Sequence, residues 1–353
     1  MVYVHAPFCR SFCTYCGFYS EIAAEGGTER YADALCAEAE ERRGEISDEV
    51  PTLYIGGGTP TVLPLSVLRR IVVAVGGGPY EEFTLEANPE DIVEKGAEYA
   101  AGLMELGVSR ISMGVQSFDD GVLRKMNRRH SAGRAVDAFR ILREAGFRNI
   151  SIDLIFGSSW ISGPCWEKTL DMALELSPEH ISCYQMSIDE GSALSEMEAA
   201  GEYAAPPDEF CREQYDLLCR RLKEDGYVHY EISNFARPGF EAVHNSAYWR
   251  RVPYVGLGPA AHSFDGTLRR WNSPDPVRWS PYFETLTGED VRVETIMLSL
   301  RTARGISERW LRANSGADID AFLSRGLLAR EGDRLRIPED RFFVSDDIIR
   351  ELV

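Results

Sequence analysis

The chain has 353 residues, 44% of them hydrophobic and 27% charged, enough to bury one large core with a smaller domain beside it. A formal net charge of -18 argues against a nucleic-acid backbone as the main ligand, because phosphate binding needs a local excess of Lys and Arg. No apolar run reaches a membrane-spanning length, and the opening MVYVHAPFC lacks the features of a signal peptide; a cytoplasmic address, with membrane association peripheral at most, is expected.

From residue 1 to about 190, short β-branched or aromatic runs alternate with longer amphipathic stretches, the pattern of βα units feeding a parallel sheet. Strands are expected at 2–5, 52–55, 82–87, 110–115, 149–155 and 180–187, with helices at 29–43, 65–75, 91–106, 131–145, 165–176 and 208–225. The fold class is therefore α/β, a partial (βα)6 TIM-like barrel over 1–232. A loop-rich aromatic connecting region follows at 233–291, then a winged-helix-like α+β domain at 292–353, with helices at 293–301, 308–313 and 317–324 and strands at 327–330 and 334–337. That last segment holds 11 Arg against 11 Asp plus Glu, so it is read as a packing module and not a DNA reader.

In such a layout functional residues gather where the strands end and the βα loops open. Cys9, Cys13 and Cys16 follow the first strand, Gly56-Gly57-Gly58-Thr59-Pro60 the second, and Glu86-Ala87-Asn88-Pro89 closes the third. Gln116 ends the fourth strand and Asp153 lies in the fifth. Three cysteines at C-x3-C-x2-C can hold a [4Fe-4S] cluster while leaving one iron open to a chelating ligand; a zinc site completed by His5 is the alternative. Cys36, Cys165, Cys183, Cys211 and Cys219 are scattered singly and read as small hydrophobes.

The cysteine spacing, with Tyr15 before the last thiol, resembles the radical S-adenosylmethionine (SAM) superfamily. The resemblance runs through most of the chain toward the branch that contains oxygen-independent coproporphyrinogen III dehydrogenases and HemW-type heme chaperones. It is carried by Tyr3 to Cys9, Gly56 to Thr61, Leu85 to Pro89, Ser112 to Phe118, Asn127-Arg128 and Ile152 to Gly157. It implies a radical-SAM barrel with a HemN-like C-terminal domain. It also implies cluster ligation by Cys9, Cys13 and Cys16, and a SAM region lined by Tyr3, Tyr15, Gly57, Gly58, Thr59, Glu86, Gln116, Arg128 and Asp153.

Three features favour the chaperone branch. Phe18 stands where the dehydrogenases resemble one another in a further cysteine, the chain begins at the first strand without the dehydrogenase extension, and His244-Asn245-Ser246-Ala247-Tyr248-Trp249 matches an H-N-x-x-Y-W signature. The expected function is a heme chaperone that passes heme to an apo-hemoprotein, with flavodoxin or ferredoxin as a reductant. Decarboxylation of two propionates of coproporphyrinogen III is the alternative, and a radical enzyme for another substrate a third. His244 is the candidate heme contact, against the simpler reading of a loop anchor; His262 competes for the ligand role.

Overall fold

The computed structural model describes residues 1–46 and 49–353. Six parallel strands form its centre: β1 (Val2–Ala6), β2 (Thr52–Gly57), β3 (Glu82–Ala87), β4 (Arg110–Gln116), β5 (Ile150–Phe156) and β6 (His180–Gln185). They are hydrogen-bonded in sequence order, as right-handed βα crossovers require. Val2, Val4, Leu53, Ile55, Phe83, Leu85, Ile111, Met113, Ile152 and Leu154, two residues apart in each strand and matched in register, are buried on one face of the sheet, while Thr52, Thr84, Arg110, Ser112 and Ser151 take the other. Strands such as EFTLEA, RISMGVQ and ISIDLIF accordingly alternate apolar and polar residues, and the polar face carries Glu86 and Asp153 to the cavity.

Helices α1 (Gly27–Glu41), α2 (Leu65–Ala74), α3 (Pro89–Glu105), α4 (Ala132–Ala145), α5 (Gly163–Leu176) and α6 (Asp208–Glu224) return the chain between strands or pack after β6. Each buries one stripe at helical spacing: Tyr31, Leu35 and Ala39 in α1, Val67, Leu68, Ile71 and Val72 in α2. Burying such a Leu or Ile contributes roughly 1.5–3 kcal/mol. Helix starts follow local chemistry. The side chains of Asn88, Ser131 and Ser162 accept from backbone N–H groups of α3, α4 and α5, and prolines occupy the first turns of α3 and α5.

Beyond residue 225 the sheet continues through strands the sequence pattern misses. These are β7 (Val228–Glu231), β8 (Asn234–Ala236) and β9 (Val255–Leu257), giving the order β9-β1-β2-β3-β4-β5-β6-β8-β7. β9 runs parallel beside β1 and β8 antiparallel beside β6, so the segment assigned as connecting region supplies two strands of the main sheet and the barrel does not stop at residue 232. The ends of the sheet do not pair with each other, leaving the barrel open. Three-residue strands such as Val255–Leu257 carry too little periodicity to be seen alone; pairing with a neighbour defines them. The same stretch also forms a separate antiparallel sheet of β10 (His262–Phe264), β11 (Leu268–Asn272) and β12 (Pro281–Thr285).

The C-terminal part holds α7 (Gly288–Leu300), α8 (Glu308–Asn314) and α9 (Ile319–Ser324) with a sheet of β13 (Ile306–Ser307), β15 (Arg334–Arg336) and β14 (Ala329–Glu331). α7 starts five residues earlier than expected because Thr287 and Asp290 form a capping box. A final helix, α10 (Ser345–Arg350), buries Ile348 and Ile349. No described helix is long and apolar enough to cross a membrane.

Candidate functional site

One cavity of about 930 Å³ opens at the C-terminal ends of the parallel strands. Cys9, Cys13 and Cys16 lie along it with Tyr15, Gly57, Gly58, Thr59, Glu86, Gln116, Arg128 and Asp153. Eleven of the thirteen expected site residues, all but Tyr3 and His244, thus line one cavity.

The thiol loop is held at both ends. Phe8–Cys9 pairs in parallel with Glu21–Ile22, and inside the loop Thr14 N–H donates to the Met126 carbonyl at 3.2 Å while Asn127 Nδ2 donates to the Phe12 carbonyl at 2.7 Å. Cys9 Sγ lies 3.4 Å from Thr59 Oγ1, and Arg128 Nη1 donates to Cys13 Sγ at 3.3 Å. Burial raises the Cys9 thiol above its ordinary value and pushes Cys16 up to about 11. Arg128 also donates to the Gly114 carbonyl. Although burial alone would discharge this guanidinium, Tyr15 and Cys13 beside it hold it firmly charged.

The glycine loop after β2 is shaped by close approach. Gly58 N–H donates to the Ala6 carbonyl and Thr59 N–H to the Phe8 carbonyl, both at 2.8 Å, stitching the loop to the start of the thiol segment. A Cβ on Gly58 would lie 2.9 Å from the Phe8 oxygen, so only glycine fits. Glu86 accepts from Tyr54 OH at 2.8 Å and from Gly57 N–H at 3.1 Å; burial outweighs these bonds and lifts its carboxyl to about 7.

Gln116 has a φ of 68° at a register irregularity between β4 and β5, which turns its side chain into the cavity. Asp153 accepts from Ser112 Oγ at 3.1 Å, and its pKa is raised by burial against the opposing pull of Arg110.

Two expected residues do not reach the cavity. Tyr3 bonds His5 Nδ1 through its hydroxyl at 3.1 Å and packs on Tyr54, its register partner, which takes the wall position instead. His244 is fully buried, with Nδ1 2.8 Å from Thr52 Oγ1 and Nε2 2.9 Å from Tyr248 OH. Burial lowers its pKa to about 3, and with both ring nitrogens engaged it serves as an anchor between its own helix and β2, not as an open iron ligand. Its neighbour Asn245 does line the cavity. Sequence reasoning also missed Tyr54, Ser112, Ser182 and Tyr184 on the wall; Ser182 is the register partner of Asp153 in β6, and Ser112 lies two residues before Gly114, its partner in β4.

The zinc alternative fails on His5, whose ring is bonded to Tyr3 and, at 2.9 Å, to the Tyr19 carbonyl. Among the described residues no three His, Cys, Asp or Glu groups converge on a single ion. Three thiols spaced around a large cavity instead suit a multi-iron cluster, in which each iron takes one thiolate. Arg128 Nε, buried on the same wall, has no partner and is available to an anionic group. The donor set therefore fits a cluster and a charged cofactor beside it.

Residues 3–172 match the Radical SAM superfamily. The chain is 33% identical to heme chaperone HemW of Mycobacterium tuberculosis over 370 residues, covering 100% of this chain and 94% of that one. It is 33% identical to heme chaperone HemW of Bacillus subtilis, covering 94% and 91%. Coproporphyrinogen III oxidase (HemN) from Escherichia coli, described as a radical SAM enzyme, has the same fold, with a TM-score of 0.80 at 22% identity over 99% of this chain and 88% of that one. With thiol loop, glycine loop and strand-end polar residues around one cavity and this likeness over its whole length, the chain belongs to the HemW family of the radical SAM superfamily.

Proposed function

We propose that this protein is a heme chaperone that carries a [4Fe-4S] cluster and SAM in the barrel cavity and passes heme to an apo-hemoprotein. Membership of the superfamily implies the cluster and SAM, and the relatives named heme chaperones supply the heme reading. One observation carries it: the three thiols share a single cavity with the charged and polar groups a sulfonium amino acid needs, in a chain alike to those relatives from end to end. Cys9, Cys13 and Cys16 would bind three irons. Gly57, Gly58 and Thr59 would offer backbone groups to the methionine part, Arg128 would pair with its carboxylate, and Glu86, Gln116 and Asp153 would accept from its ammonium and ribose hydroxyls. Tyr15 would pack beside them. A flavodoxin or ferredoxin would serve if the cluster is reduced.

The test is anaerobic reconstitution followed by hemin titration and transfer to an apo-hemoprotein such as apomyoglobin. Saturable hemin binding and delivery support the reading. Absence of hemin binding together with conversion of coproporphyrinogen III to protoporphyrinogen IX, given SAM and reductant, overturns it.

A further inference from the structure

Helix α3 opens directly after the strand end that carries Glu86, and its first turns do more than return the chain. The helix is broken at Gly96, where φ is 69° and ψ is -166°, a conformation that residues with a Cβ avoid. Residues 89–95 therefore form a short segment that can lie at its own angle. Asp91, Glu94 and Lys95 are spaced three and four residues apart on it, which puts them on one side. Asp91 is fully buried and stands outside the cavity lining.

Three segments that face the cavity meet at this carboxylate. Arg129, the residue after Arg128, donates through Nη1 to Asp91 Oδ1 at 2.7 Å. Arg10, the residue after Cys9, brings Nε to 3.7 Å from the same oxygen. Thr61, at the exit of the glycine loop, donates through Oγ1 to Oδ2 at 3.0 Å and accepts in turn from Asn88 N–H at 3.2 Å. Glu94 pairs with both guanidiniums, and Lys95 Nζ donates to the carbonyls of Thr61, Val62 and Leu63. Arg10 and Arg129 line the cavity, so Asp91 stands directly behind its wall.

Anchoring α3 alone would take neighbours from one segment, whereas this carboxylate draws them from three. Arg10, Arg128 and Arg129 bring three permanent positive charges to one side of the cavity. Asp91 offsets their mutual repulsion from a place that water does not reach. A carboxylate so far out of water is stable only while its oxygens are satisfied, and loss of one partner leaves the remaining charge uncompensated. Because the arms end on the same two oxygens, a shift of one segment disturbs the other two.

We infer that Asp91 is a positioning residue of the cavity: acting through Arg10, Thr61 and Arg129, it fixes the thiol loop, the glycine loop and the Arg128 arm in one mutual arrangement and so couples the cluster loop to the cofactor pocket. It touches neither the thiols nor the groups assigned to SAM, and its effect on both is transmitted by side chains that lie between, as with the outer partners that orient metal ligands. The inference rests on the cluster-and-SAM part of the reading above and is independent of heme.

The test compares reconstituted wild type with Asp91→Asn, Arg129→Gln and the double variant. Equilibrium dialysis gives SAM affinity per cluster, and electron paramagnetic resonance of the dithionite-reduced cluster is recorded with and without SAM. Asp91→Asn keeps the shape and removes the charge. The expected result is SAM binding weakened by about tenfold or more, with the SAM-induced spectral change altered. Arg129→Gln should act in the same direction, and the double variant should fall no more than about threefold below the weaker single one, because both substitutions break one network. Wild-type affinity and spectral change in Asp91→Asn, whatever its melting temperature, overturn the inference, as do losses that multiply in the double variant. If Asp91→Asn fails to fold, Thr61→Val and Arg129→Gln each remove one arm, and wild-type affinity and spectra in both overturn it equally. A wild type that assembles no cluster or binds no SAM overturns the underlying reading as well.

Discussion

Arg128 brings a permanent charge to a buried place beside Cys13, and it is tolerated because a thiol, a phenol and the Gly114 carbonyl surround it while Nε stays free. A buried charge with a spare donor suits an anionic ligand, and charge-assisted hydrogen bonds contribute about 1.5–3 kcal/mol. Arg128→Met is therefore expected to weaken SAM binding by roughly tenfold or more, measured by equilibrium dialysis on reconstituted protein, with iron content retained. The cysteines divide just as sharply. Removing Cys9, Cys13 or Cys16 singly should abolish the brown colour and the bound iron, whereas Cys36→Ala, whose half-buried thiol lies outside the cavity, should leave the iron-to-protein ratio unchanged.

At the scale of elements, the cluster loop depends on contacts from its neighbours. The glycine loop after β2 reaches the thiol segment through two backbone bonds, from Gly58 to Ala6 and from Thr59 to Phe8. Gly58→Ala drives a Cβ against backbone atoms of Pro7 and Phe8, which cannot swing away as a side chain end could. The expected cost is about 1–3 kcal/mol of stability, together with lower iron retention. Gly44→Ala meets no atom within 4 Å and should leave both thermal unfolding and iron content unaffected.

At the scale of the whole molecule, Glu231 is fully buried in β7; Ser233 N–H donates to one carboxylate oxygen at 3.3 Å, and the other oxygen lacks a hydrogen-bond partner among the described residues. Burial raises its pKa from 4.5 to about 7. A carboxyl with a raised folded-state pKa favours the fold below its unfolded value and loses that contribution as pH rises through the folded one, so stability should decline between about pH 4.5 and 7. Glu231→Gln keeps the neutral shape. It should melt like the wild type at pH 4 and a few degrees higher at pH 8, as read by differential scanning calorimetry on the ligand-free protein.

Much of this was legible in the order of residues. C-x3-C-x2-C, the triple glycine, Glu86 at a strand end and Asp153 inside a strand announce themselves because βα alternation puts strand ends on one rim, whatever the details of packing. The six central strands and their helices were legible for the same reason, since long periodic runs commit a segment before it meets its neighbours. Tertiary structure alone decided what depends on distant partners. It made strands of Val255–Leu257 and Asn234–Ala236 by pairing them with β1 and β6, and it set Tyr54 in place of Tyr3 on the cavity wall. Above all it enclosed His244 between Thr52 and Tyr248 while leaving His262 in the open. A histidine's chemistry is set by which atoms surround its two nitrogens, and those atoms arrive from residues far apart in the chain.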